Sequence, residues 1–131
     1  MSVHTGNNWG AETDASVFIN VFGSIGDTGK RLLYHSKNNK QKFQRGQIDM
    51  FEIEAVSLET LTHIEIGHDR KGHGAGLYID KVIISEKDHT DKEYVFPCRS
   101  WLDDREGDGK TWRTLPVLGK FDEMFIPRFL Y

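Results

Sequence analysis

At 131 residues, with 37% hydrophobic side chains, the chain has the size and apolar content of one domain with its own core. Its 17 basic and 20 acidic residues leave a formal net charge of −3, which argues against a general polyanion binder and so against a nucleic-acid partner. The lone Cys98 excludes an intrachain disulfide and a cysteine-rich zinc site, and no apolar run approaches the roughly 20 residues that span a bilayer.

From the amino terminus, residues 1–6 lack the charged and apolar regions of a signal peptide. Cys98 reads as a small buried hydrophobe in a reducing, cytoplasmic setting. Any membrane contact is therefore expected to be peripheral.

Residues 16–22 alternate, Val17, Ile19 and Val21 against Phe18 and Phe22, and two apolar faces predict a strand covered on both sides. The alternation returns at 50–56, with Phe51 and Ile53 opposed to Glu52 and Glu54, and at 61–67, with Ile64 and Ile66 opposed to His63 and Glu65. Residues 77–85 predict a central strand, and 93–96 and 112–116 two more, with Pro97 ending the first of these and Trp112 in the core. Only residues 57–61 suggest helix, for one turn. Turn signals at 23–29, 38–39, 67–76 and 103–109 complete the pattern of an all-β sandwich or barrel. The segment 119–131, with Phe121, Phe125 and Phe129, is too apolar for a free tail and is expected to pack on the domain or dock elsewhere.

Four stretches in order carry a resemblance. They are Gly10-Ala11-Glu12-Thr13-Asp14-Ala15 leading into 17–22, Gly26-Asp27-Thr28-Gly29, Phe43-Gln44-Arg45-Gly46-Gln47-Ile48-Asp49, and the run from Ile66-Gly67-His68-Asp69 through Gly74-Ala75-Gly76-Leu77 to Val82. With Phe96-Pro97-Cys98-Arg99-Ser100-Trp101, they resemble the PLAT (lipoxygenase-homology) domains over residues 1 to about 118. The likeness is strongest to the repeats of multi-PLAT proteins of stereocilia, and polycystin domains come next. It implies an antiparallel β-sandwich of about eight strands in two sheets, monomeric and non-enzymatic. The family usually begins several residues before Ser2, which puts the pairing of a shortened first strand in question.

The resemblance also implies a binding site. PLAT domains that hold calcium use a loop corresponding to Glu12, Thr13 and Asp14 and a second loop corresponding to Asp69 and Gly74, and calcium takes such oxygen ligands. The alternative is that Asp14 and Asp69 only cap turns. A second family site loses its carboxylates here, where Gln41-Lys42-Phe43-Gln44 stands. Trp9 and Trp101 match tryptophans that enter the lipid interface in lipoxygenases, and the ring of tryptophan suits that boundary; Trp101 reads equally as packing at a strand end. Lys40 and Lys42 lie in a basic run suited to acidic headgroups. Arg45 and Asp49 belong to the family pattern and are expected to be partners.

An enzyme is not expected: the histidines are scattered without a His-Glu-x-x-His pattern, and Cys98 lacks a supporting signature. The expected partners are a phospholipid surface, approached with calcium, or membrane-associated proteins, bound by a scaffold repeat linked to the cytoskeleton.

Overall fold

The computed structural model describes residues 1–68, 76–87 and 89–118, and the side chains of all of these but 89–91. Among the described residues nine strands follow one another: β1 Ser2–Thr5, β2 Val17–Gly23, β3 Gly26–Asp27, β4 Arg31–Leu32, β5 Ile48–Met50, β6 Leu61–His68, β7 Leu77–Glu86, β8 His89–Leu102 and β9 Trp112–Pro116. They form a four-stranded sheet in the order β5-β1-β7-β8 and a second in the order β3-β2-β6-β9, with β4 also paired to β2. Every pairing is antiparallel.

Period-2 alternation turns one set of side chains from each sheet into a common core. Val3, Ile79, Val82 and Phe96 from the first sheet meet Val17, Ile19, Ile64 and Ile66 from the second, all fully buried. The short β1 lies inside its sheet, paired to β5 on one side and β7 on the other, so it is not an edge.

The outer face of the second sheet carries cross-strand rings. Phe18, Gly67 and Trp112 lie in register across β2, β6 and β9. The Phe18 and Trp112 rings stack at 6.5 Å over the glycine, and the Lys30 ammonium caps both at 4.6 and 4.8 Å. A Cβ at Gly67 would stand 2.4 Å from the Thr111 carbonyl and 2.5 Å from the Trp112 ring. Gly67 is thus a close-approach residue within a strand, where a turn was expected, and Trp112 is an outer-face ring, half-buried, where the core was expected. Phe22 stacks on His63 at 4.3 Å in the same way.

Three further expectations fail for physical reasons. The alternation at 50–56 stops being strand after Met50, because the chain must cross from the first sheet to β6 in the second; Phe51 stays buried as the segment drapes over the sandwich end. Residues 57–61 form no helical turn, and Glu59 takes a positive φ of 60° as the chain enters β6. Pro97 does not end β8. That strand is an edge, where a missing N–H is tolerated, and the register shifts locally beside Arg99, whose φ is 46°.

The free edge of β5 is covered by amides. Asn38 Nδ2 and Asn39 Nδ2 both donate to the Ile48 carbonyl at 3.0 Å, Asn38 Oδ1 accepts from Met50 N–H at 3.0 Å, and Lys37 N–H donates to the Met50 carbonyl at 2.7 Å. Asn38 thereby imitates one residue of a neighbouring strand. Asn38→Ala removes two of these bonds. We expect a loss of about 1 kcal/mol in urea unfolding and concentration-dependent association in sedimentation velocity.

Candidate functional site

The strand registers define the two ends of the sandwich. At one end lie the β1–β2, β6–β7 and β8–β9 connections, beside the pairs Thr5↔Ile79, Val17↔His68 and Leu77↔Leu102. The other end carries the β2–β3 hairpin, the 51–60 crossing and the β7–β8 hairpin. Glu12, Thr13, Asp14 and Trp9 all fall at the first end, on the β1–β2 connection.

That connection is held by its neighbour, the segment 39–47. Thr13 N–H donates to the Phe43 carbonyl at 3.1 Å, and Gly46 N–H donates to the Gly6 carbonyl at 2.9 Å. Gly46 has a φ of 70°, and a Cβ there would lie 2.4 Å from Asn7 Oδ1, so both conformation and space require glycine. The segment itself is fixed by Asp49, which is wholly buried. Its carboxylate accepts from Phe43 N–H at 2.8 Å, from Asn39 Nδ2 at 3.1 Å and from Gln47 Nε2 at 3.1 and 3.2 Å. Phe43 is thereby kept at a φ of 57°, with its ring buried 5.7 Å from that of Phe51. Arg45 is not the partner of Asp49: its guanidinium lies 4.1 Å from the centre of the Trp9 ring.

Of the proposed cation ligands, the Thr13 side chain is buried and its hydroxyl accepts from Ala15 N–H at 3.1 Å, a local turn cap. Asp14 is exposed on the same turn. Glu12 Oε2 is buried with no hydrogen-bond partner among the described residues. A buried carboxylate oxygen without a donor is costly unless a cation or another proton donor meets it, so an acidic, oxygen-bearing loop fits a hard cation. Asp69 and Gly74, the second half of the expected ligand set, lie outside the described residues. No cluster of three or more His, Cys, Asp or Glu side chains suited to a metal occurs among the described residues.

The four expected membrane residues separate. Trp9 is 85% exposed at the loop tip, and Lys40 is exposed on the bracing segment. Trp101 is half-buried, its ring edge-on to Tyr78 at 5.3 Å and its carbonyl accepting from Arg113 Nε at 3.0 Å, which is packing at a strand end. Lys42 turns inward: Nζ donates to the Leu33 carbonyl at 3.1 Å and lies 5.2 Å from the Tyr34 ring. Burial lowers its pKa, with Asp49 opposing the shift.

Sequence reasoning missed the organising part of Asp49 and the stacking of Arg45 on Trp9. The signal for Asp49 was a carboxylate between the apolar Ile48 and Met50, at inward strand parity. His68 is buried with Nε2 2.6 Å from the Leu102 carbonyl, and burial pushes the Cys98 thiol up to about 11.

The PLAT/LH2 domain family model matches residues 1–115. The chain belongs to that family. It is 43% identical over 116 residues to human lipoxygenase homology domain-containing protein 1, covering 88% of this chain and 6% of that protein. Mouse polycystin-1-like protein 3 is 33% identical over 103 residues, covering 78% of this chain and 5% of that one. The PLAT domain described here thus spans only a small part of the curated relatives it matches. Among solved structures, a coral 8R-lipoxygenase superposes with a TM-score of 0.71 at 24% identity, over 88% of this chain and 16% of its own. A calcium-dependent 11R-lipoxygenase superposes at 0.63 with 28% identity over the same shares. The two antiparallel sheets are those of a lipoxygenase PLAT domain.

Asp49→Ala strips three donor groups of their acceptor in the core. We expect a loss of about 3 kcal/mol in urea unfolding, at the upper end for a buried unsatisfied set. The thiolate is the reactive form, and burial disfavours it at Cys98, so alkylation by iodoacetamide at pH 8 should be much slower in the folded chain than in urea.

Proposed function

We propose that this PLAT domain is a non-catalytic binding module that docks the loop end of its sandwich on a phospholipid surface, with one calcium ion at the β1–β2 connection. The observation that carries the reading is Trp9, 85% exposed at the tip of a braced loop with the Arg45 guanidinium 4.1 Å from its ring. An apolar ring beside a cation suits the boundary between acyl chains and acidic headgroups. Lys40 adds a second positive charge, worth up to about 1 kcal/mol near an anionic surface. The calcium activation of the coral 8R-lipoxygenase through a C2-like domain, and the calcium dependence of the 11R-lipoxygenase, support the cation.

In this reading Glu12, Thr13 and Asp14 from the first loop, with Asp69 and Gly74 from the second, hold calcium. The ion supplies positive charge where the loop is acidic. The chain's own residues do the rest: Asp49 and Gly46 hold the loop rigid, and Trp9 enters the interface. Lys42 and Trp101 take no part, because both are committed to the domain's own packing. The site is then peripheral and cytoplasmic, at a membrane such as that of stereocilia.

A second reading has one supporting observation. The chain spans only 6% of its 43%-identical relative, which suits one bead of a tandem scaffold that joins membrane proteins to the cytoskeleton without calcium.

The test is thermal unfolding across a calcium titration after EDTA, followed by sedimentation with phosphatidylserine-containing vesicles. A ligand that binds only the folded state adds about 2.7 kcal/mol at a hundredfold excess over Kd. We expect a saturable rise in midpoint that Asp14→Asn abolishes, and vesicle binding that Trp9→Ala weakens about tenfold. No rise up to millimolar calcium rejects the calcium site. Vesicle binding unchanged in Trp9→Ala rejects the docking mode and leaves the scaffold reading.

A further inference from the structure

The outer face of the first sheet holds an open polar cleft of about 340 Å³ at the end that carries Trp9. His4 of β1, Tyr78 and Asp80 of β7 and Arg99 of β8 line it, together with Asn7 and Asn8, which lead directly to Trp9. Strand parity puts them on this face: His4 alternates with the buried Val3 and Thr5, and Tyr78 and Asp80 with the buried Leu77 and Ile79. Gly6 also lines the cleft, and a Cβ there would stand 2.5 Å from the Tyr78 ring. This wall is made of described residues alone, whereas the packing of the apolar segment 119–131 lies outside them.

An irregularity in β8 brings Arg99 here. The pairs Ile79↔Ser100 and Lys81↔Pro97 leave Asp80 opposed by two residues, Cys98 and Arg99, a bulge of the kind that re-aims a side chain. Arg99 takes a left-handed φ of 46° in it, which residues with a side chain seldom adopt. Its contact with Asp80 is loose: Nε stands 3.8 Å from Oδ1, and the two side chains are 82% and 45% exposed. Where the chain uses such a pair for its own packing, Arg113 donates twice to Asp108, at 2.7 and 3.0 Å. Asn7, Asn8 and Arg99 form no side-chain hydrogen bond among the described residues. Burial holds His4 below the usual histidine range, helped by Lys81 and opposed by Asp80, so at neutral pH it adds no charge. The cleft therefore gathers a guanidinium, a carboxylate and two amides whose bonding capacity the domain leaves unused. A simple anion placed among them is repelled by Asp80 and a simple cation by Arg99. A group that carries a phosphate beside a primary ammonium meets both with the charge-assisted bonds each favours.

We propose that this cleft takes the phosphoethanolamine headgroup of a phospholipid, its phosphate on Arg99 and the Asn7 and Asn8 amides and its ammonium on Asp80. The assignment rests on the phospholipid docking of the Trp9 end: with that ring in the interface, the adjoining cleft lies at headgroup level.

Two measurements on the full chain separate the cleft from the docking. In the first, glycerophosphoethanolamine is titrated into isotope-labelled protein and followed by NMR, with no membrane present. We expect saturable shifts of the amide signals of Gly6, Asn7, Asn8 and Asp80. Binding should weaken about tenfold in Arg99→Gly, in Asp80→Asn and with glycerophosphate in place of the zwitterion, the loss of one charge-assisted contact in each case. Glycine suits the positive φ of Arg99 and asparagine keeps the shape of Asp80, so both variants keep the fold, which circular dichroism checks. Absence of a saturable shift overturns the proposal, and so does equal binding of glycerophosphate, which marks a plain anion site. In the second, sedimentation with vesicles of constant phosphatidylserine content compares phosphatidylethanolamine with phosphatidylcholine as the remainder. A gain with phosphatidylethanolamine that Arg99→Gly and Asp80→Asn both remove supports the headgroup. Binding of the soluble compound without that gain assigns the cleft to a free zwitterion and overturns the lipid source. The docking itself is judged separately by Trp9→Ala, since vesicle binding that depends on Trp9 can persist when the cleft binds nothing.

Discussion

The loop end of this domain depends on one buried carboxylate. Asp49 faces inward from a three-residue edge strand and forms no ion pair among the described residues. Instead it collects one backbone N–H and two side-chain amides from residues 39–47. Hydrogen bonds to an acceptor in a low-dielectric interior are strong, and leaving them unmade is expensive. That asymmetry fixes the segment, which passes the order outward through the Phe43 carbonyl to Thr13 and through Gly46 N–H to Gly6. A loop end assembled in this way presents Trp9 without having to order it on contact, and such pre-organisation favours binding.

The two sheet faces make the same division of labour visible. On the second sheet the outer rings stack on each other and beneath Lys30, which satisfies their apolar area within the domain. In sandwiches generally, the strands serve as scaffold and the connections at the ends carry binding residues. The relationship to lipoxygenase PLAT domains rests on this shared framework. What each domain binds is set by the side chains its loops carry.

Much of the framework was legible in the sequence, because β2, β6, β7 and β9 obey period-2 alternation against a buried face. The same rule misled at 50–56. A chain crossing over the end of a sandwich also turns alternate side chains toward the core, so Phe51 and Ile53 mimic a strand that has no ladder. Pro97 and Gly67 failed for a different reason: one is excused by an edge and the other required by a tryptophan on the paired strand but distant in sequence, and neither relation is local. At the site, the sequence singled out the acidic loop, Trp9, Lys42 and Trp101, but the Leu33 carbonyl that holds Lys42 and the Tyr78 ring that packs on Trp101 come from parts of the chain that no local reading brings beside them.

The amide cover on β5 has a bearing on chains that contain several such domains. Covalent linkage holds neighbours at effective concentrations that reach millimolar for short linkers, where any bare strand edge invites the next domain to add to its sheet. Asn38 answers that pressure with a side chain instead of a strand, filling the donor and acceptor positions that a neighbour would use. With that edge filled, β5 offers a neighbouring copy no strand position, so repeated domains cannot merge through it.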